Sequence, residues 1–323
     1  MRIVVIVLVL SLIFVALVHW RAARHERLAR AEFPPTGQLV DVNGRTVHAV
    51  VMGSGPDLVL IHGASGSTRD MTFSFAPILA DRYRVIVFDR PGLGYSDRVN
   101  DRFSAAFAPR GESPAEQAEL LQAAAAKLGA DRPLVLGHSY GGAVALAWAL
   151  NHPDNIAGLV SVGGVALPWP GDLGPLYRYV GTPFGGAVLA PLLTAFVPDS
   201  YVENTISEIF APAPAPEGYG HYVAPALTLR RDTIRANARQ VNHLRPFVVA
   251  MSAQYPDLNL PVELVHGDAD TIVPIDIHAR PVSRIIPGAT LTEIPAAGHM
   301  PHHTHPEVVI AAIDRAADRA GLR

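Results

Sequence analysis

Five short apolar runs constrain this chain more than any other feature. They are Leu58–Ile61 (LVLI), Val85–Phe88 (VIVF), Leu134–Leu136 (LVL), Leu159–Val162 and Val262–Val265. A strand with one wet face alternates apolar and polar residues, so a run that is apolar almost throughout must be covered on both sides. Such strands build a mostly parallel sheet between two layers of helices, and the sequence between them is helical. Ser113-Pro114-Ala115-Glu116 has Ser at the N-cap, Pro at N1 and Glu at N3, a capping box that predicts a helix to about Lys127, closed by Gly129. A second helix begins at the Ser139 turn (GGAVALAWAL) and stops before Pro153. Strand and helix in alternation predict an α/β fold with a doubly wound, mostly parallel sheet. Ahead of it, Asn43-Gly44 between Gln38–Asp41 and Arg45–Val51 predicts a hairpin.

The rhythm breaks between Pro168 and Pro261, where Pro, Gly and aromatic residues are frequent and helical runs centre on Leu189–Phe196 and Thr233–Val249. This stretch predicts a helical lid inserted into the core, with APAPAP (Ala211–Pro216) as an extended connector. Composition suits one large domain: 323 residues, 49% hydrophobic, 17% charged, enough to bury a sizeable core. The formal charge of -3 leaves no basic field for nucleic acid, which is not expected as a partner. With no cysteine, thiol catalysis, disulfides and thiolate zinc sites are excluded.

The first residues stand apart. Ile3 to Val18 carries no charge and no polar stripe, which excludes a buried amphipathic helix. A cleaved leader needs small residues just beyond, whereas Val18-His19-Trp20-Arg21 is bulky and basic. The run therefore reads as a retained transmembrane anchor, with Trp20 at the interface and Arg21, Arg24, Arg27 and Arg30 after it. Those arginines, against Arg2 alone before the span, lean towards a cytoplasmic domain, but the side is left open. The division is a 1–20 transmembrane anchor, a 21–36 juxtamembrane linker, a core of 37–167 and 261–323, and a 168–260 helical lid.

Gly137-His138-Ser139-Tyr140-Gly141 lies between an apolar strand and an apolar helix, the setting of a nucleophile elbow, in which a strained serine stands clear of the sheet. A buried serine at a Gly-rich helix start is the plainer alternative. From here the chain, over roughly Gly37 to its C-terminus, resembles the α/β-hydrolase family, with four more motifs in that family's order. His62-Gly63-Ala64-Ser65-Gly66 is similar to its first oxyanion loop, and Asp89-Arg90-Pro91-Gly92-Leu93-Gly94-Tyr95-Ser96-Asp97 to its D-x-P-G-x-G-x-S turn. His266-Gly267-Asp268-Ala269-Asp270 is similar to its acid loop, and Gly298-His299-Met300-Pro301 to its histidine loop.

The resemblance implies a serine hydrolase acting on a carboxylic ester or related acyl bond. Ser139 is the nucleophile, His299 its base, and Asp270, in preference to the turn residue Asp268, the acid that orients the base. The amides of Ala64 and Tyr140 form the oxyanion hole. His62 shapes that loop, and Asp89 and Arg90 brace it. Carbon–carbon bond hydrolysis and cofactor-free perhydrolysis can run on the same triad, and a catalytically silent binding protein is the alternative outside enzymes. Serine at the elbow disfavours the dehalogenase and epoxide-hydrolase branches. No cofactor is required.

The expected partner is a small molecule with an apolar acyl group, for which Trp169, Tyr177, Tyr179, Phe184, Phe196 and Phe210 together are candidate pocket residues, although each taken singly reads first as a structural core residue. His299, His302, His303 and His305 suggest a metal, but supporting and surface histidines are the preferred reading, so no metal site is expected. Arg230, Arg231 and Arg235 are read as a solvated helical face, with an anionic ligand as the alternative.

Overall fold

A computed structural model describes all residues, Met1–Arg323. Eight strands form one sheet in the order β1-β2-β4-β3-β5-β6-β7-β8: β1 Gln38–Val42, β2 Arg45–Met52, β3 Asp57–Ile61, β4 Arg84–Phe88, β5 Leu134–His138, β6 Gly158–Val162, β7 Val262–Gly267 and β8 Thr290–Ile294. The β1–β2 hairpin turns at Asn43-Gly44, and β2 pairs antiparallel with β4. Every later pairing is parallel.

The apolar runs divide by residue parity, as a two-sided sheet requires. Val59, Ile61, Ile86, Phe88 and Val135 point into one core, covered by helices Pro114–Lys127 and Tyr140–Asn151. Leu58, Leu60, Val85, Val87 and Leu136 point into the other, covered by Phe75–Leu79 and Pro306–Arg319. The capping box at Ser113 is closed in both directions: Glu116 N–H donates to Ser113 Oγ at 3.1 Å, and Ser113 N–H to Glu116 Oε2 at 2.7 Å.

Between β6 and β7 lies the helical insertion, chiefly Pro183–Phe196, Asp199–Phe210, Arg231–Asn242 and Leu244–Ser252. The N-terminal helix spans Arg2–Glu32, and its mean hydropathy over the apolar part is 3.0, long and apolar enough to cross a membrane. The juxtamembrane stretch 21–36 continues the helix unbroken to Glu32, and this part docks on the insertion. Small side chains allow the approach, since Ala22 and Ala29 are buried, with Ala22 packed beside Ala195 and Ala29 beside Ala224 and Leu227. Polar bonds fasten it: Arg21 Nε donates to Ala195 O at 3.2 Å, and Arg231 holds Glu26 through Nε and Nη2, each at 2.7 Å.

The three arginines read as a solvated face are thereby corrected. Arg230 and Arg235 are buried, donating to the carbonyls of Leu227 and Gly94 and of Gly186, while Arg231 ties the N-terminal helix to the insertion. Long cationic side chains can be buried where they satisfy backbone carbonyls left open at loops and helix ends.

Candidate active site

The motif loops all leave the carboxyl ends of β3, β4, β5, β7 and β8, where open α/β sheets place their ligand crevices. Parallel pairing of β3 with β5, with Ile61 opposite Gly137, brings the His62 loop beside the Ser139 turn.

Ser139 has φ 53° and ψ -118°, a conformation that side-chain-bearing residues rarely adopt and that persists only when its surroundings enforce it. The enforcement is steric and hydrogen-bonded. A Cβ on Gly137 would run into the Gly141 carbonyl, and one on Gly141 into the Ile61 carbonyl. The serine's N–H donates to Val162 O, and its carbonyl accepts from Gly142 and Val165, each at 3.0 Å.

His299 and Ser139 line one cavity of about 270 Å³. His299 Nδ1–H donates to Asp270 Oδ2 at 2.7 Å, which leaves Nε2 as the free nitrogen. Asp270 Oδ1 accepts from the Ile272 and Val273 amides, both at 2.9 Å. Burial alone would raise the Asp270 carboxyl, but hydrogen bonds from His266, His299 and these amides outweigh it and hold the group well below the usual range. Asp268 is occupied elsewhere, accepting from the Ala296 amide at 2.6 Å.

The amides of Ala64 and Tyr140 donate to no protein acceptor; Ala64 lines the cavity, and the Tyr140 amide directly follows Ser139, which also lines it. The peptide preceding Ala64 is polarised from its other end. Gly63 O accepts from Arg90 Nη2 at 3.1 Å and from His62 Nδ1 at 2.8 Å, while His62 Nε2 accepts from the Arg90 amide at 3.0 Å. That pattern fixes the tautomer of a neutral imidazole, which burial, then the nearby Arg90 charge, pushes down to about 4. Arg90 also lies 4.2 Å from the Tyr140 ring centroid and donates to Gln117 and Gln240, so one buried guanidinium braces both loops. Asp89 stands behind it, accepting from His48 at 2.6 Å and from the Thr68 and Tyr95 amides at 2.6 and 2.8 Å.

One contributor has no signal in the motifs. Ser65, next to Ala64, also has positive φ (58°) and is gripped by Asn237 from the insertion: Ser65 N–H donates to Asn237 Oδ1 at 2.7 Å, and Asn237 Nδ2 donates to Ser65 Oγ at 2.8 Å. Thr228 Oγ1 adds a bond to Ser65 O at 2.9 Å. Only the polar face of an otherwise helical run, at Asn237, hinted at such a contact.

The cavity's apolar wall comes from aliphatic residues of the insertion, chiefly Leu193, Val197, Val202, Ile206 and Ile209. Of the six aromatic candidates only Tyr177 lines it. Tyr179, Phe184 and Phe196 are exposed, Phe210 packs with Tyr219 and Met300, and Trp169 lies near His278.

The sequence profile described as the alpha/beta hydrolase family matches residues 58–312. An uncharacterized protein of Mycobacterium tuberculosis is 29% identical over 306 residues, covering 91% of this chain and 85% of that protein. A pimeloyl-[acyl-carrier protein] methyl ester esterase of Edwardsiella ictaluri is 30% identical over 274 residues, covering 81% of this chain and 93% of the esterase. Among solved structures, a bacterial membrane phospholipase A superposes with a TM-score of 0.65 at 23% identity, over 98% of this chain and 99% of that one, a span that includes the N-terminal helix. By sequence profile and by fold, this chain belongs to the alpha/beta hydrolase family.

Proposed function

We propose that the chain is a serine hydrolase that cleaves a carboxylic ester, or a related acyl bond, through an acyl-enzyme on Ser139. One observation supports the reading: a strained serine, a histidine held by a buried carboxylate, and the undonated amide of Ala64 line one cavity, with the undonated Tyr140 amide next to the serine in the chain. In the proposed cycle Ser139 Oγ bonds to the acyl carbon as its proton passes to His299 Nε2. The carbonyl oxygen becomes an oxyanion that accepts from the Ala64 and Tyr140 amides. The leaving alkoxide takes the proton from His299, and a water then repeats the sequence to release the acid. Asp270 fixes the imidazole tautomer and stabilises its cation.

Substrate selection follows from the aliphatic wall, which suits a small molecule with an apolar acyl group. The relative that cleaves a methyl ester supports ester chemistry. The apolar N-terminal helix, docked on the insertion that supplies this wall, is read as a membrane anchor that holds the site beside a bilayer. The test is hydrolysis of a series of p-nitrophenyl esters by the full chain in detergent. Turnover that vanishes in Ser139→Ala supports the reading. Turnover equal in Ser139→Ala and the parent overturns it, and ester binding without turnover in the parent points to a silent binding protein.

A further inference from the structure

A buried cluster lies beside Ser139 that acyl transfer does not use. Pro301 opens a short helical turn, Pro301–Thr304, that carries His302 and His303 inward, both side chains fully buried. They meet Asp70, on the short helix Thr68–Thr72 after the oxyanion loop, and His138, the residue before Ser139. Tyr219 Oη and His303 Nε2 donate to Asp70 Oδ1 at 2.8 and 2.9 Å. The other oxygen, Oδ2, faces His302 Nε2 at 3.5 Å without forming a hydrogen bond. Neither ring nitrogen of His302 has a partner. His138 Nε2–H donates to His299 O at 2.9 Å, so its Nδ1 carries the lone pair, and Nδ1 is also unpartnered.

We propose that Asp70, His138 and His302 form a three-ligand site for a divalent cation of the zinc class, open to the cavity that holds Ser139. Each residue offers one ligand atom within 4.8 Å of the other two. A tetrahedral zinc with bonds of about 2.0–2.1 Å sets its ligand atoms roughly 3.3–3.4 Å apart, close to the 3.5 Å between His302 and Asp70. Two imidazoles and a carboxylate are the donor set such an ion takes. Burial, then the neighbouring His303, pushes His302 down to about 4, so at neutral pH it offers a lone pair, not a charge. Two of the three ligands have the outer contacts such a site uses, a backbone carbonyl on the far nitrogen of His138, and Tyr219 and His303 on the second oxygen of Asp70, while His302 Nδ1 has none. Asp70 and His138 line the cavity, which gives an entry path and a position for a fourth ligand. In GHMPHHTHPE, His302 and His303 are buried and turn towards one carboxylate, and the proposal adds a ligand role for His302 to the supporting one expected of such histidines. The proposal does not depend on the esterase reading.

The experiment is elemental analysis of the untagged full chain in detergent after incubation with Zn²⁺ and gel filtration. About one zinc per chain is expected, falling near zero in His302→Gln and in Asp70→Asn, and remaining near one in His305→Gln. Because those variants can fail to fold, the unaltered protein is also titrated with Co²⁺. A visible ligand-field absorption that Zn²⁺ abolishes, with X-ray absorption showing imidazole scattering at roughly 2.0–2.1 Å, supports the site. No retained zinc together with no displaceable Co²⁺ absorption overturns it. So does retention unchanged in His302→Gln, which places the ion elsewhere, or a zinc-soaked crystal in which only a water bridges the three residues.

Discussion

Replacing Asn237 by alanine tests whether the insertion holds the oxyanion loop in its working shape. Asn237 makes two bonds of 2.7 and 2.8 Å to Ser65, whose φ of 58° is unfavourable for a residue with a Cβ. Each neutral bond is worth about 0.5–1.5 kcal/mol net, and the left-handed conformation costs about 1–2 kcal/mol. Asn237→Ala therefore removes roughly what keeps Ser65 in place, and the loop is free to relax. The adjacent Ala64 amide then leaves its position. Loss of one oxyanion donor outright costs about 2.7–4 kcal/mol in the transition state, which sets a ceiling of roughly 10²–10³ in kcat. A relaxed donor still visits its place, so the expected fall in kcat is about 10- to 100-fold. KM for a p-nitrophenyl ester should change by less than about threefold, because the amide acts on charge that develops only in the transition state. Asn237→Asp retains an acceptor for the Ser65 amide and can accept from the Ser65 hydroxyl, so it should recover most of kcat. The assay is steady-state ester hydrolysis on protein shown to be folded by its melting transition. A folded Asn237→Ala enzyme with kcat within twofold of the parent would refute the reasoning, as would a loss confined to KM.

Three further outcomes follow from the same contacts. Gly141→Ala places a methyl group against the Ile61 carbonyl, so it should yield little folded protein, seen as loss of the soluble, cooperatively melting species; a normal melt would contradict the tight turn. His62 and His278 are both pushed down to about 4, mainly by burial, so the folded state disfavours their charged forms. The unfolded chain binds more protons between about pH 6.5 and 4, so stability is full above about 6.5 and falls as pH drops towards 4, by up to roughly 3 kcal/mol per histidine; a melting temperature constant from pH 7 to 4.5 would contradict it. In the contact between Arg231 and Glu26, both partly buried, a double-mutant cycle of Arg231→Ala and Glu26→Ala should give a coupling of about 0.5–1 kcal/mol and faster proteolysis between the N-terminal helix and the body; zero coupling would mean that this ion pair does not hold the helix.

Much of this architecture is legible because it rests on local patterns. The runs at Leu58, Val85 and Leu134 announce two-sided strands since no other arrangement hides every residue, and the Ser113 box announces its helix because its two bonds are three residues apart. The glycines of the Ser139 turn are readable for a similar reason, because the turn itself excludes side chains there. What stayed hidden depends on residues far apart in the chain. Asn237 reaches Ser65 across 172 positions, and Asp70 meets His303 across 233; neither pairing leaves a local trace. Arg230 and Arg235 misled because charge ordinarily marks a wet face, whereas here loop and helix carbonyls receive them. The lid aromatics misled because greasiness specifies burial or exposure poorly on a small insertion, and the cavity is walled by aliphatic residues one or two turns away. The docking of residues 21–32 leaves no local trace because the partners of Ala22, Ala29, Arg21 and Glu26 lie about 170 to 205 positions away in the insertion.

The central claim is that Ser139 is an activated nucleophile. Its most direct measurement is the intact mass of the full chain after reaction with a fluorophosphonate, followed by peptide mapping. A single phosphonyl adduct on Ser139 is expected, formed far more slowly in Asp270→Asn and absent in Ser139→Ala and His299→Ala. An unmodified mass in the folded parent, or an adduct that persists in Ser139→Ala, would contradict it.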